Sequence, residues 1–374
     1  MKVIVAGDYA PCGRLSLKTR ERDFSFLSNI KPIIEDSDYS IVNLECPVSD
    51  DGAKPISKVG PCLKCDAAGV EALQWAGFSC VTLANNHFYD YGEHGVIKTI
   101  ETCSRLGLDT VGGGKSFEEA SRILYKEVKG YTLAIINCCE HEFSLASGNK
   151  GGANPLNPVR LYYDIQSAKQ SADYVIVIVH GGHEHFQLPS IRMVDMYHFF
   201  IDVGADAVLN HHQHCFSGYE YYKNKPIYYG LGNFCFDGLG IRTDSHWYTG
   251  YLVQLSLEDG VISSSVMPYY QCANDNLKVE LSDDDVLIKS IESISRIIND
   301  RDSLQRQIDE YYLRSLHDYS VVLSPINNRY LRAAQYHQLL PVVLSKKYLL
   351  RLEDFFMCES HRDIMEFYFN NRRG

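Results

Sequence analysis

The tightest constraint on the fold is a run that stays apolar without interruption and then breaks into histidine, "YVIVIVHGGHEH" at 174–185. Continuous, rather than alternating, β-branched residues suit a strand buried on both faces, as in α/β folds whose sheet is covered by helices. Similar strand candidates are "KVIVAG" (2–7), "YSIVNL" (39–44), "FSCVTLA" (78–84), "TLAIIN" (132–137), "AVL" (207–209) and "PIYYGLG" (226–232). Between them, 66–76, 93–106, 160–172 and 190–203 have helical patterning. In the last, Ile191, Val194, Met196, Phe199 and Ile201 recur among polar residues at roughly helical spacing. The alternation predicts an α/β architecture.

From about residue 250 the pattern changes. "YLVQLSL" and "VISSSVMPYY", joined by "EDG", read as a hairpin. Beyond 275 the chain becomes helical: "LSDDD" offers an N-cap with acidic residues in the first turn. Ile288, Ile291, Ile294, Ile297, Ile298, Leu304 and Ile308 then follow to about Leu316. After a break at "SPINN", two more helical stretches are predicted near 328–345 and 347–370. The 374 residues suffice for a large core and a smaller unit. The expected division is 1–274 and a helical region, 275–374, that covers the core, closes over a site or forms a homodimer contact.

A net charge of −11 argues against sequence-independent nucleic-acid binding, which needs a basic face. The longest apolar run, 175–179, is far too short to span a bilayer, and the N-terminal one ends at Gly7-Asp8, short of a secretory core. Twelve cysteines then read as reduced thiols, and the expected location is the cytoplasm, with peripheral attachment to the inner membrane compatible. The lone C-x-x-C of Cys62 and Cys65 reads as structural, without a second pair to complete a zinc site.

Chemistry collects where the apolar runs stop. They end in Asp8, in Asn43 and Glu45, in Asn85, Asn86 and His87, in His180, His183, Glu184 and His185, in "NHHQH" (210–214) and in Asn233. Ligands of open α/β sheets bind outside the carboxyl ends of the strands. Seven of the fourteen histidines fall between 180 and 214. An Asp/Glu/Asn/His set without cysteine suits Mn, Fe or Zn. Taken singly, each piece also fits a helix cap or a polar turn. Together they point to one rim.

The series "GD" (7–8), "NLE" (43–45), "LANNHFYDYG" (83–92), "HGGHE" (180–184), "NHHQH" (210–214) and "YYGLGNF" (228–234) resembles the CapA family of poly-γ-glutamate or capsule synthesis proteins, within the calcineurin-like metallophosphoesterase superfamily. The resemblance covers about residues 1–270. It implies a four-layer αββα sandwich with two divalent metal ions at the strand ends. Carried over, Asp8 and His214 would serve one metal, Asn86, His180 and His212 the other, and Glu45 would bridge them. His87 matches the superfamily's catalytic histidine beside the leaving group, and Glu184 the acidic residue after the "H-x-G" motif. His211 falls to a supporting position. The superfamily's usual D-x-H is Asp8-Tyr9-Ala10 here, and Glu45 replaces the usual bridging Asp; CapA-like proteins share both departures.

The implied activity is metal-dependent, either hydrolysis of a phosphoester or formation or transfer of an amide, in capsule, exopolysaccharide or poly-γ-glutamate biosynthesis. Substrates would be a glycan, a phosphoester or a carboxylate and amine pair. The competing reading is a non-catalytic, metal-stabilised binding or scaffold component of a polysaccharide assembly complex.

Overall fold

The computed structural model describes residues 1–237, 245–273, 276–323 and 345–372. Two sheets stack at its centre. In the first, the strands lie in the order Val279–Leu281, Val261–Gln271, Thr249–Glu258, Lys2–Ala10, Tyr39–Leu44, Cys80–Thr82 and Asp109–Val111. Lys2–Ala10 and the three strands after it in this order run parallel, and Thr249–Glu258 pairs with Lys2–Ala10 antiparallel and turns back as the predicted hairpin. The second sheet runs Tyr219–Tyr222, Lys225–Tyr228, Ala207–His211, Tyr174–His180, Tyr131–Cys139 and Leu124–Val128. Tyr174–His180 lies inside that sheet, parallel to both neighbours, with all its residues buried, as its unbroken apolar run requires.

Helices Ala67–Ala76 and Gly92–Arg105 cover the outer face of the first sheet, where Val70, Leu73, Val96 and Cys103 share a core with Ile4, Ala6, Val42 and Leu44. The alternate residues Val3, Val5 and Ile41 belong to a second core with Val175–Val179 of the other sheet. Helices Pro158–Ser171 and Ile191–Val203 contribute Leu161, Ile165, Val194 and Phe200 to that same core. The result is the four-layer αββα sandwich expected from the resemblance. Both sheets direct their parallel strands' carboxyl ends to one rim.

Two differences from the sequence reading shape that rim. The candidate strand 226–232 ends early, with Lys225–Tyr228 in the second sheet, and a separate strand beyond it, Asn233–Phe236, crosses to pair in parallel with the end of Lys2–Ala10. The crossing brings Gly232 O within 3.1 Å of the Asp8 N–H, and a Cβ on Gly7 would sit 1.9 Å from that oxygen. Only glycine at position 7 permits this approach. The candidate strand 132–137 in turn extends to Cys139, which carries Glu140, His141 and Glu142 to the rim.

The isoleucine-rich stretch forms two helices, Asp285–Ile298 and Arg301–Leu323. Asp284 caps the first through Val286 N at 2.8 Å, and Asp300 interrupts the run by accepting from the N–H groups of Asp302 and Ser303 at 3.2 Å. The segment expected at 347–370 is likewise two helices, Lys346–Met357 and Glu359–Arg372. The break at "SPINN" and the predicted helix 328–345 lie outside the described residues. Among the described residues, no helix is long and apolar enough to cross a membrane. None of the twelve cysteines takes part in a disulfide.

The last helix docks through a buried ionic cluster. Glu140, 5% exposed, accepts from Arg192 Nη2 at 2.6 Å and Ser360 Oγ at 2.8 Å; Arg192 Nε also reaches Asp363 at 3.1 Å. Glu359 accepts from the His141 N–H at 2.9 Å. Burial pushes the Glu140 carboxyl up, but Arg192, Ser360 and the Gly182 N–H outweigh it and hold it down to about 2. Arg192→Ala strands this carboxylate, so urea denaturation should show a loss of about 3–5 kcal/mol. Limited proteolysis should cut the variant first near Glu359–Arg372. Since the folded pKa lies below an unfolded value of about 4.3, this contribution is complete above about pH 5. It is lost as pH falls through about 2. The stability gap between wild type and Glu140→Gln should therefore narrow on acidification over that window.

Candidate metal centre

Asp8 sits at a bulge in the first strand, where its register with both parallel neighbours shifts. Its Oδ1 accepts from Asn43 Nδ2 at 2.7 Å, and its Oδ2 from the backbone N–H of His212 at 3.1 Å. The two sheets are thus tied together at the rim by a carboxylate. Glu45 follows the neighbouring strand and is fully buried, yet neither of its oxygens has a hydrogen-bond partner. Burial, then the nearby Asp8 carboxylate, pushes its pKa well up. A carboxylate placed this way is answered only by a proton or a cation.

The histidines supply the other half. His180, at the end of its strand, places Nε2 3.1 Å from Asn86 Oδ1, 3.1 Å from His212 Nδ1 and 3.7 Å from Glu45 Oε1. Donor atoms around a tetrahedral ion with bonds near 2.0 Å would lie roughly 3.3 Å apart. His214 approaches from the other side, with Nε2 3.6 Å from Glu45 Oε1 and Nδ1 3.8 Å from Asp8 Oδ2. Two sets of donor atoms converge within 4.8 Å: Glu45, His180 and His212, and Asp8, Glu45 and His214. Glu45 is common to both. The donor types, their spacing and the unanswered Glu45 carboxylate fit a pair of divalent cations.

Backbone strain aims the rings. His212 and His214 have φ of 94° and 55°, in the left-handed region that costs non-glycine residues on the order of 1–3 kcal/mol each. Such conformations persist where surrounding contacts over-determine them. Burial lowers the pKa of His180 far below its ordinary range and that of His214 to about 4, so both are neutral, the form that ligates metals. At His212 burial opposes the charged form, but Glu142 and Glu184 outweigh it and raise the pKa. His211 belongs to neither donor set; its Nδ1 lies 3.5 Å from Asp8 Oδ1, and neither ring nitrogen is hydrogen-bonded.

His87 is placed by its neighbours in "LANNHFYDYG". Asn85 accepts from the His87 N–H at 3.1 Å and donates to Asn43 Oδ1 and Leu44 O, which locks the turn to the adjacent strand end. His87 Nδ1 meets Asp90 Oδ2 at 2.6 Å and lies 3.2 Å from Lys58 Nζ, which also pairs with Asp90 Oδ1. Asp90 further accepts from the Leu63 N–H at 2.7 Å, so one fully buried carboxylate holds both His87 and the 56–63 loop. Burial, then Lys58, lowers the His87 pKa.

A cavity of about 390 Å³ opens beside these groups. Lys58, Asn86, His87, Glu142, Glu184 and His212 line it, and Tyr311, Asp354, Ser360 and His361 from the C-terminal helices form another wall. Glu184 stands half exposed there, 3.9 Å from His185 Nε2. His183 instead packs against Tyr311, with Nε2 3.2 Å from Tyr312 OH. Sequence reading missed Lys58, Glu142 and the C-terminal residues as site components. Glu142 had a signal, since it follows the strand through Cys139, but that strand was expected to end at 137.

Residues 2–238 match the sequence model of the family described as "Bacterial capsule synthesis protein PGA_cap". The chain is 33% identical over 249 residues to the capsule biosynthesis protein CapA of Bacillus anthracis, covering 64% of this chain and 60% of that protein. It is 32% identical over 222 residues to the PGA biosynthesis protein CapA of Bacillus subtilis, covering 59% and 58%. It therefore spans about three-fifths of the length of these relatives. Among solved structures it is similar to a 5'-nucleotidase precursor from Thermus thermophilus at 9% identity and a TM-score of 0.43, covering 78% of this chain and 57% of that one. With nearly two-thirds of its length matched, including every strand end that carries a candidate ligand, the chain belongs to the bacterial capsule synthesis family PGA_cap.

Proposed function

We propose that the protein is a metal-dependent enzyme of capsule or poly-γ-glutamate biosynthesis, with two divalent cations held at the rim between the sheets. The observation that carries this reading is Glu45, a fully buried carboxylate with no hydrogen-bond partner, set between two groups of convergent donors. Asp8, Glu45 and His214 would hold one ion; Glu45, Asn86, His180 and His212 would hold the other. When bound, the pair supplies Lewis-acid charge neutralisation at a phosphoryl or acyl centre.

The chain's own residues then handle protons and substrate. Asp90 takes the Nδ1–H of His87, which leaves Nε2 as the nitrogen that exchanges a proton with the reacting group. Lys58 is paired to Asp90, and apart from the histidines the other ionisable side chains facing the cavity include Glu142, Glu184 and Asp354, all acidic. That lining suits a substrate bearing an amine better than a bare polyanion. Amide formation or transfer is therefore favoured over simple phosphoester hydrolysis. Glu184, at the cavity wall, is placed to orient such an amine.

Elemental analysis of protein purified without chelator should find close to two transition-metal equivalents; none under any growth condition would defeat the reading. His212→Ala and His214→Ala should each lose one ion, and a different one, whereas His211→Ala keeps both, as read by Mn²⁺ calorimetry. Metal-loaded protein screened against phosphomonoesters, phosphodiesters and amine-plus-carboxylate pairs with ATP should turn over the last class. His87→Ala should retain its metal and lose about 10²–10⁴-fold in rate. Unchanged capsule output from that variant would identify a binding component instead.

A further inference from the structure

The two histidines of "HQH" meet the centre through different nitrogens. His212 faces His180 Nε2 with its Nδ1, at 3.1 Å, and turns Nε2 toward Glu142 Oε1 at 3.6 Å. His214 faces Glu45 Oε1 with its Nε2, and its Nδ1 lies 3.0 Å from Asn233 Oδ1. Asn233 is fully buried beside Asp8, its partner in the parallel register of the crossing strand.

The orientation of the Asn233 amide is decided by its other contacts. Its Nδ2 donates to His214 O and to Trp247 O, both at 3.2 Å, which uses both N–H bonds. The reversed amide would set oxygen against two carbonyl oxygens. Oδ1, an acceptor only, must therefore be the atom that meets His214 Nδ1. We infer that Asn233 is a positioning residue: it fixes His214 in its Nδ1–H form, so that the Nε2 lone pair is delivered to the Asp8–Glu45 subsite. Partners of this kind set the tautomer and ring orientation of a ligating histidine, and their loss typically costs about 10–100-fold in metal affinity. The inference rests on the proposed metal centre for its consequence, but the tautomer itself does not require a metal.

Trp247 makes the subsite observable. The chain has two tryptophans; Trp247 is buried with its ring centroid 5.0 Å from that of His214, and Trp75 is 38% exposed. In a Trp75→Phe background, Mn²⁺ quenching of fluorescence reads the His214 side. Asn233→Ala should weaken that signal's midpoint by about 10–100-fold while the ion lost in His212→Ala binds as before. Asn233→Asp keeps an acceptor for Nδ1–H but gives up donors to the two carbonyls. It should hold the midpoint within about five-fold of wild type, well inside the range expected for loss of the partner, while lowering Tm. Long-range ¹H–¹⁵N imidazole spectra of metal-free wild type should show His214 protonated on Nδ1. Protonation on Nε2 would overturn the inference, as would equal weakening by Asn233→Ala and Asn233→Asp, or no weakening by either. If wild type binds no Mn²⁺, the proposed function fails, and the spectrum still decides the role of Asn233.

Discussion

Everything at the rim is arranged around two carboxylates, Asp8 and Glu45, buried side by side with unequal support. Asp8 is satisfied by protein donors, from Asn43 and from the backbone of His212. Glu45 is not satisfied by any hydrogen bond. Burying an ionised carboxylate without a partner is among the most unfavourable arrangements a fold can hold, so Glu45 is answered either by a proton, as its raised pKa allows, or by a cation. Burial also keeps His180 and His214 uncharged, so beside the carboxylates they do not act as ion-pair partners and their imidazoles are in the form that can ligate a cation.

Holding such a centre requires two sheets and a tight crossing. Strand ends from the first sheet deliver Asp8, Glu45 and Asn86; strand ends from the second deliver His180, His212 and His214. The sheets meet at Asp8 because Gly7 has no side chain to block Gly232, and the chain after Gly232 brings Asn233 up to His214. The left-handed residues His212 and His214 give up local stability that the packed surroundings restore. The motifs "GD", "NHHQH" and "LGNF", the first more than two hundred positions from the others, are in this sense parts of one packing problem. Shared strand pairing and hydrogen bonds solve it.

A second layer of organisation comes from outside the family match. Helices Lys346–Met357 and Glu359–Arg372 follow residue 238, where that match ends, yet Asp354, Ser360 and His361 wall the cavity. Their docking on Glu140 and Arg192 ties the wall to the loop that presents Glu142. The candidate ligand set thus lies within the part of the chain that matches the family, and the shape and charge of the space above it are set by elements beyond that match.

The order of strands and helices, the burial of 174–180, the hairpin after 249 and the gathering of polar residues at strand ends were legible because each depends on local pattern, whereas the choice of six candidate ligands among those residues came from the family resemblance. Asp90, within "LANNHFYDYG", gains its task only from contact with His87, Lys58 and the Leu63 N–H. Glu142 was hidden by two residues of strand that propensity did not extend, and Asp354 and His361 by some two hundred residues of intervening chain. By itself, then, the sequence determined which side chains stand at the strand ends, because periodicity decides where a strand stops. Which of them meet, through which nitrogen and beneath which wall, was decided by tertiary structure, because contacts between distant segments depend on sheet register, glycine-permitted crossings and helix docking that no local pattern encodes.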